Sequence, residues 1–297
     1  MIAGILTSAT PLLLAGLGAL LTEFSGALGI FIEGFMVLGS FFAFVLAVNL
    51  GSVWWGTLLT ALLGAVTGWA LARFIHKTRA NPFIAGLALN LAAGGVTDSL
   101  SRIWFGTKGV LRAPELSIPG PVFIPLIEKL PGVGKILSGQ LPFTYAAWVL
   151  VILGGLFIGK TPLGLRLRAA GRSPLAAEER GLHPAWYREG AWAAAAFLAC
   201  LAGAALSFRV GAYTPGGVAG RGWIALAAIY LGFRTVRGTA VAALVFALAE
   251  YVGFGLQGFD AVPATVLLGL PSGLALLLYT LSHVAAGGSV AHGRRRG

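Results

Sequence analysis

An all-α fold, a polytopic transmembrane helical bundle of about nine spans, follows from three observations. Of the 297 residues, 57% are hydrophobic and only 10% charged, against about 25% charged in an ordinary soluble domain. Apolar blocks long enough to cross a bilayer recur from residue 3 to residue 286 with no polar half attached. The basic residues gather in short stretches between those blocks, where they set membrane orientation. The net charge of +11 therefore speaks for lipid contact and topology, not for nucleic acid. A single transmembrane domain over residues 1–297 is the expected organisation.

Crossing roughly 30 Å of hydrocarbon takes about 20 helical residues. In chain order the candidate spans run 3–21, 29–50, 53–72, 82–105, 141–159, 187–206, 238–256 and 262–285. The shorter block Trp223 to Phe233 reads as a tilted, broken or re-entrant helix, and counting it gives about nine crossings within a range of eight to ten. The opening MIAGILTSATP has no Lys or Arg ahead of its apolar run, so it reads as a retained span and not a cleaved signal. Glycines four apart inside a span, such as Gly64 and Gly68, let helices approach closely where packing replaces the hydrophobic drive.

Alternate sides of these spans receive unequal positive charge. One side collects Arg73, Lys77, Arg79, six residues from Lys160 through Arg188, Arg234, Arg237 and Arg294 to Arg296, fourteen in all. The other collects seven: Arg102, Lys108, Arg112, Lys129, Lys135, Arg209 and Arg221. The fourteen-residue side is expected to be cytoplasmic, with the N-terminus outside and the C-terminus inside. The extracytoplasmic loop 106–140 is then rich in Pro and Gly, and the cytoplasmic loop 160–187 is basic.

Gly154 to Thr161, GGLFIGKT, matches a phosphate-binding loop letter by letter. Such a loop must leave a strand and open a helix, whereas this one ends an apolar helix, so Lys160 reads as a boundary anchor. No catalytic constellation emerges. His76, His183, His283 and His292 lack metal-ligand spacing, and Cys200 has no second cysteine to pair with. An enzyme is not expected, and no cofactor or metal is implied. In the cytoplasmic loop, Ser173 is placed to cap a helix, Pro174 fits its first position, Ala176 to Glu179 continue it and Gly181 ends it.

That stretch, GRSPLAAEERGLHP, resembles the permease subunits of ATP-binding-cassette importers for sugars, nucleosides and branched-chain amino acids. The family reads approximately G-x-N-P-x-A-A-x-x-x-G-I there. Gly171, Pro174, Ala176, Ala177 and Gly181 match, with Ser173 in the usual place of Asn. ATPLLLAGLGALLTEFSGALGIFIEGFMVLG, GLALNLAAGGVTDSL and GGVAGRGWIALAAIYLG resemble three further family segments in the same order. The resemblance implies a non-catalytic transport subunit in a bacterial inner membrane. Its partners would be a second permease, distinct or a second copy, an extracytoplasmic solute-binding protein, and an ATPase chain that itself binds ATP and Mg. Gly171, Arg172, Ser173, Pro174, Ala176, Ala177, Glu178 and Gly181 would form the coupling element that docks in that ATPase, with Ala177 on its docking face.

Within the spans, Glu33, Asn90, Asp98 and Glu250 are the costly residues, because an unpaired carboxylate at the bilayer centre costs roughly 2.5 kcal/mol or more. Asp98 and Glu250 lie toward predicted boundaries and are expected to reach water. Three roles are open for Glu33: bracing a helix break near Ser25, Gly26 and Gly29, touching solute, or pairing a buried base. Nucleoside-type relatives usually read G-V-L-N-I-G-L-E-G-M-M where this chain has GALGIFIEGFM. Gly29 replaces the amide, and Phe31 and Phe35 flank the carboxylate. Loss of a hydroxyl-binding group and gain of aromatic faces favour a flat ring. Phe31, Glu33, Phe35, Asn90 and Trp223 are accordingly the expected translocation pathway. The cargo expected is a ring with ribose or ribityl, a nucleoside or riboflavin; a simple-sugar permease or an ion-coupled secondary transporter are the alternatives.

Overall fold

The computed structural model describes residues 2–124, 134 and 138–256. In chain order they form α1 (Ile2–Phe24), α2 (Ile32–Leu50), α3 (Val53–Thr78), α4 (Pro82–Phe105), β1 (Leu111–Arg112), α5 (Pro142–Lys160), α6 (Pro162–Arg172), α7 (Pro174–Glu179), α8 (Pro184–Val210), β2 (Ala212–Tyr213), α9 (Arg221–Leu231) and α10 (Val236–Leu256). Among the described residues, seven helices, α1 to α5, α8 and α10, are long and apolar enough to cross a membrane. The span expected at 262–285 and the terminal arginines lie outside the described residues.

The helices follow the expected spans closely. Where they run longer, as α3 does through His76 and Lys77 and α8 does from Pro184 through Val210, the added residues include charged ones, Arg73, Lys77 and Arg209. A helix continues past the apolar block because long side chains carry their heads to the interface. Local signals set the ends. Asn81 Oδ1 accepts from Phe83 N at 2.9 Å with Pro82 at the first helical position of α4. α2 and α8 stop at Gly51 and Gly211, both left-handed.

α8 is the centre, packed against α1, α2 and α3. Most span residues of α1 and α8 are buried, as in helices enclosed by others, whereas α4 and α5 sit at the rim with few of theirs buried. Small residues carry the central crossings. Gly64 and Gly68 of α3 meet Cys200 and Ala196 of α8. Ser207 of α8 donates to the Ser40 carbonyl at 2.9 Å, and the two hydroxyls lie 2.7 Å apart, so the Ser40 hydroxyl donates to Ser207 Oγ.

The bundle has two ends. At one lie the α1–α2 turn, the C-terminus of α3, the α6–α7 loop and the N-terminus of α8, tied by Trp192 Nε1 to Ala27 O at 3.1 Å and by Arg73 to Glu189 at 3.6 Å. This end carries all the described members of the fourteen-residue basic set. At the other, β1 pairs antiparallel with β2, Leu111 opposite Tyr213, and Phe143 stacks on Phe208. This ribbon was not legible in the sequence, because a two-residue strand has no periodicity. It ties the loop after α4 to the segment after α8.

α9 has 11 residues, about 16 Å of rise, half of a bilayer core of roughly 30 Å. It begins inside the bundle and descends to the α6–α7 end, where Arg234 just beyond it meets Glu23 at 3.0 Å. The block is thus a half-span. Arg221, at its first position, is not the outer-loop residue that the charge count made it.

Gly203 allows α8 to touch α2: a β-carbon there would fall 2.0 Å from Met36 O. Gly203→Ala is expected to destabilise the chain by about 1–3 kcal/mol, as overpacking does. A lowered melting temperature of the purified chain in detergent is the readout.

Candidate functional site

The site is built from two helix beginnings inside the bundle. α9 is preceded by TPGGVAG, residues 214–220, in which Gly216, Ala219 and Gly220 all have positive φ, at 70°, 48° and 80°. For Ala219 that conformation is uncommon and costs energy. The break leaves the first N–H groups of α9 without intrahelical partners. Glu33, near the start of α2, supplies them. Its Oε1 accepts from Gly220 N at 2.9 Å and its Oε2 from Gly222 N at 2.7 Å. A carboxylate is also the right charge for a helix N-terminus. Gly222 is needed for this approach, since a β-carbon there would lie 2.7 Å from the backbone of Glu33.

The beginning of α2 is held in turn by Asn90 of α4. Its Oδ1 accepts from Gly34 N at 2.7 Å and its Nδ2 donates to Ile30 O at 2.8 Å. One side chain bridges both sides of the turn into α2. Closer to the bundle end, Thr22 Oγ1 accepts from Gly29 N at 2.9 Å. The break expected near Ser25 to Gly29 therefore exists, but Thr22 and Asn90 brace it, and Glu33 braces a different one.

Arg221 closes the unwound loop from the other side. Its Nη1 donates to Gly217 O at 2.8 Å and Val218 O at 3.2 Å, and its Nη2 pairs with Glu250 of α10. Glu250 does not reach water at a boundary, as its sequence position had implied. It lies 14 residues into α10 and finds a guanidinium at similar depth. Arg209 lies within Coulomb range of both Glu250 and Arg221. A cavity of about 250 Å³ opens here, with Ser40, Ser207, Arg209, Thr214 and Arg221 as its polar lining.

Of the five expected pathway residues, the structure brings Glu33 and Trp223 together at the first turn of α9, with Asn90 one helix away. Trp223 leaves that turn as a residue 42% exposed. Phe31 and Phe35 go elsewhere: both are buried, edge to face at 5.3 Å, with Phe31 4.6 Å from the Trp192 ring. Their aromatic faces are occupied by α8, so they offer no stacking surface to a solute. Asp98 is half-buried on α4 near Tyr213.

At the basic end, α7 spans Pro174–Glu179 as its sequence indicates, with Gly181 left-handed just beyond it. Ser173 takes the cap position without making a side-chain cap hydrogen bond. Arg172, Pro174, Ala176 and Glu178 are exposed, but Ala177 is buried within the loop, where its carbonyl accepts from Leu182 N at 3.0 Å. The outward apolar residue is Leu175, 76% exposed, which stands at an unspecified position of the motif. Gly171 packs its backbone on the Phe24 carbonyl and on Gly26 in the α1–α2 turn. The element is thereby fastened to the chain segment that leads, seven residues on from Gly26, to Glu33. GGLFIGKT is the last two turns of α5 plus Thr161, whose Oγ1 caps Gly164 N at 3.1 Å, and forms no phosphate cradle. Among the described residues no cluster of His, Cys, Asp or Glu suits a metal.

The profile of the family described as branched-chain amino acid transport system / permease component matches residues 1–279. The chain is 30% identical over 294 residues to the guanosine ABC transporter permease protein NupQ of Bacillus subtilis, covering 93% of this chain and 89% of that one. It is 28% identical to the nucleoside ABC transporter permease protein NupC of Lactococcus lactis, over 94% and 91% of the two chains. It is 29% identical to the putative glucose ABC transporter permease protein TsgC13 of Haloferax volcanii, over 82% and 73%. No solved structure matches it significantly.

Removing the clamp should be measurable. Glu33→Gln keeps one acceptor and loses the charge, whereas Glu33→Ala loses both bonds, each worth about 1.5–3 kcal/mol when one partner is charged. Melting temperature should fall in the order wild type, Glu33→Gln, Glu33→Ala. Indistinguishable melting of the wild type and Glu33→Ala would exclude the clamp.

Proposed function

Since this chain belongs to the family of branched-chain amino acid transport system permease components, and so is a multi-pass ABC permease, we propose that it forms the membrane path of an importer for nucleosides. The observation that carries the cargo is the lining of the break above α9. It offers hydroxyls from Ser40, Ser207 and Thr214 and guanidinium donors from Arg209 and Arg221, with the Trp223 indole leaving the same half-helix. The ionic groups around it balance, two carboxylates, Glu33 and Glu250, against two guanidiniums, Arg209 and Arg221. A neutral, polar setting suits an uncharged solute with many hydroxyls, and a ribose with a stacking base is such a solute. Relatives whose names specify guanosine and nucleosides, aligned over nearly the whole chain, support this reading over a simple sugar. Riboflavin shares the ring and the hydroxyls and is separated from nucleosides only by experiment.

The chain hydrolyses nothing itself in this reading. A separate ATPase chain with its ATP and Mg would seat α7 from the cytoplasm, an extracytoplasmic binding protein would deliver solute at the β1–β2 end, and a second permease would complete the path. Gly171, Arg172, Ser173, Pro174, Ala176, Ala177, Glu178 and Gly181 would make up the coupling element, with Leu175 as its apolar knob. Motion reaching α7 would pass through the contact of Gly171 with the α1–α2 turn to Glu33, and from Glu33 to the N-terminus of α9. That route is short and made of packed backbone, which suits rocking of rigid elements. The basic end would be cytoplasmic, consistent with its charge excess. Family membership favours this mechanism over ion coupling.

Two measurements test the proposal. In proteoliposomes holding the complete importer, ATP-dependent uptake of labelled guanosine should be inhibited by adenosine and not by ribose or riboflavin; inhibition by ribose or riboflavin alone would overturn the cargo. Leu175→Asp should sharply lower uptake while leaving the melting temperature unchanged, because the side chain touches mainly solvent here. Ala177→Asp should lower both, since it buries a charge inside the loop.

A further inference from the structure

A second cavity, of about 280 Å³, lies at the basic end between the C-terminus of α3, the α3–α4 turn and the beginning of α8. Its polar lining is His76, Arg79 and Arg188, and its apolar lining includes Ala72, Ile75 and Trp192. None of this belongs to the break around α9 or to the α6–α7 element. Among the described residues, Arg188 Nε is buried from solvent without a hydrogen-bond partner, and neither Arg79 nor Arg188 has an ion-pair partner. The acid beside them in sequence, Glu189, is buried and pairs with Arg73. Among the described residues, two guanidiniums and an imidazole therefore line one cavity without a counter-charge.

The lining is ordered along the axes of α3 and α8. α3 runs toward this end, so Ala72 lies one turn deeper than His76; α8 runs away from it, so Trp192 lies one turn deeper than Arg188. The basic groups are at the level where the spans leave the apolar core, and the apolar groups are beneath them. A soluble anion would need only the upper part. A molecule with a phosphate above and hydrocarbon below uses both.

We propose that this pocket binds the head group of an anionic phospholipid, such as diphosphatidylglycerol or phosphatidylglycerol, in the leaflet on the basic side. Basic pockets between transmembrane helices on that side bind such head groups. The phosphate sits between Arg79 and Arg188 with His76 as a further donor, and the glycerol and first acyl carbons lie along Ala80 and Pro82 over the buried floor of Ile75 and Trp192. Trp192 also donates to Ala27 O in the α1–α2 turn, so a lipid seated here touches the helix that holds that turn in place. The inference is independent of cargo.

Native mass spectrometry of the full chain in mild detergent tests it, with diphosphatidylglycerol, phosphatidylglycerol and phosphatidylcholine as probes. Arg79 has a left-handed backbone, φ 55°, so Arg79→Asn keeps a residue that tolerates it, and Arg188→Gln removes the other charge. Each substitution should weaken binding of the two anionic lipids about fivefold. Binding of phosphatidylcholine should be weak and unchanged, and Arg166→Gln with Arg180→Gln, which removes equal charge from the neighbouring loop, should leave anionic-lipid binding intact. Added diphosphatidylglycerol should raise the melting temperature of the wild type more than that of the double pocket variant, which is read even if that variant starts lower. The proposal is overturned if the pocket and loop variants bind anionic lipid equally, or if glycerol 3-phosphate displaces the lipid at matched concentration. It is also overturned if the pocket variants lose only ATPase association.

Discussion

The constraint on which the structure depends is that no backbone N–H or C=O may be left unpaired inside a bilayer. An unbroken helix meets it alone. This chain has helix beginnings inside its bundle, at α2 and at α9, and each must borrow partners from elsewhere in the sequence. Asn90 serves the first and Glu33 the second. The carboxylate that looked out of place in LTEFSGALGIFIEGFMVLG is thus the cap of a helix 187 residues away. Its charge is tolerated because two N–H groups and the N-terminal dipole of α9 stabilise it.

The central packing exists to hold that arrangement still. α8 touches α1, α2 and α3 through small residues, so the backbones lie close and leave little freedom for the start of α2 to drift from α9. Phe31 and Phe35 contribute from inside, filling the space beside Trp192. Close packing of this kind transmits a shift in one element to its neighbours. That property gives the contact between Gly171 and the α1–α2 turn its functional interest.

The spans were legible because about 20 consecutive apolar residues carry one meaning in a membrane protein, and α7 because Pro, Ala, Glu and Gly each sit where a short helix needs them. The half-helix was also legible, as an apolar block too short to cross. Partnerships were not. Nothing in the local surroundings of Glu33 indicates that it bonds to Gly220 and Gly222, and the same holds for Glu250 and Arg221. Such pairs are set by which helices become neighbours, and apolar periodicity is weak evidence of neighbours when every face is apolar. Arg221 left a faint signal, since an arginine between a Gly-rich break and a half-span has nowhere to go but inward. The aromatic residues beside Glu33 misled for a related reason: adjacency in sequence places side chains on different helix faces, and these two faced α8 instead of the break.

The distribution of bonds around α9 limits how the site can move. Glu33 is acceptor for both leading amides of that helix, and separating them would leave a carboxylate and two N–H groups unpaired in a low-dielectric setting, several kcal/mol at least. The contacts of Arg221 with the carbonyls of Gly217 and Val218 are different. They lie on the cavity side, where water or a hydroxylated solute can replace the guanidinium one bond at a time. The low-cost motion therefore keeps the starts of α2 and α9 together as one body and loosens residues 214–220 above them. A solute hydroxyl that takes over those carbonyls would do so without changing the charge balance of Glu33, Glu250, Arg209 and Arg221, whereas an ionic solute would upset it. In the proposed importer, electrical neutrality at the break would select cargo through the same groups that keep the helix ends satisfied.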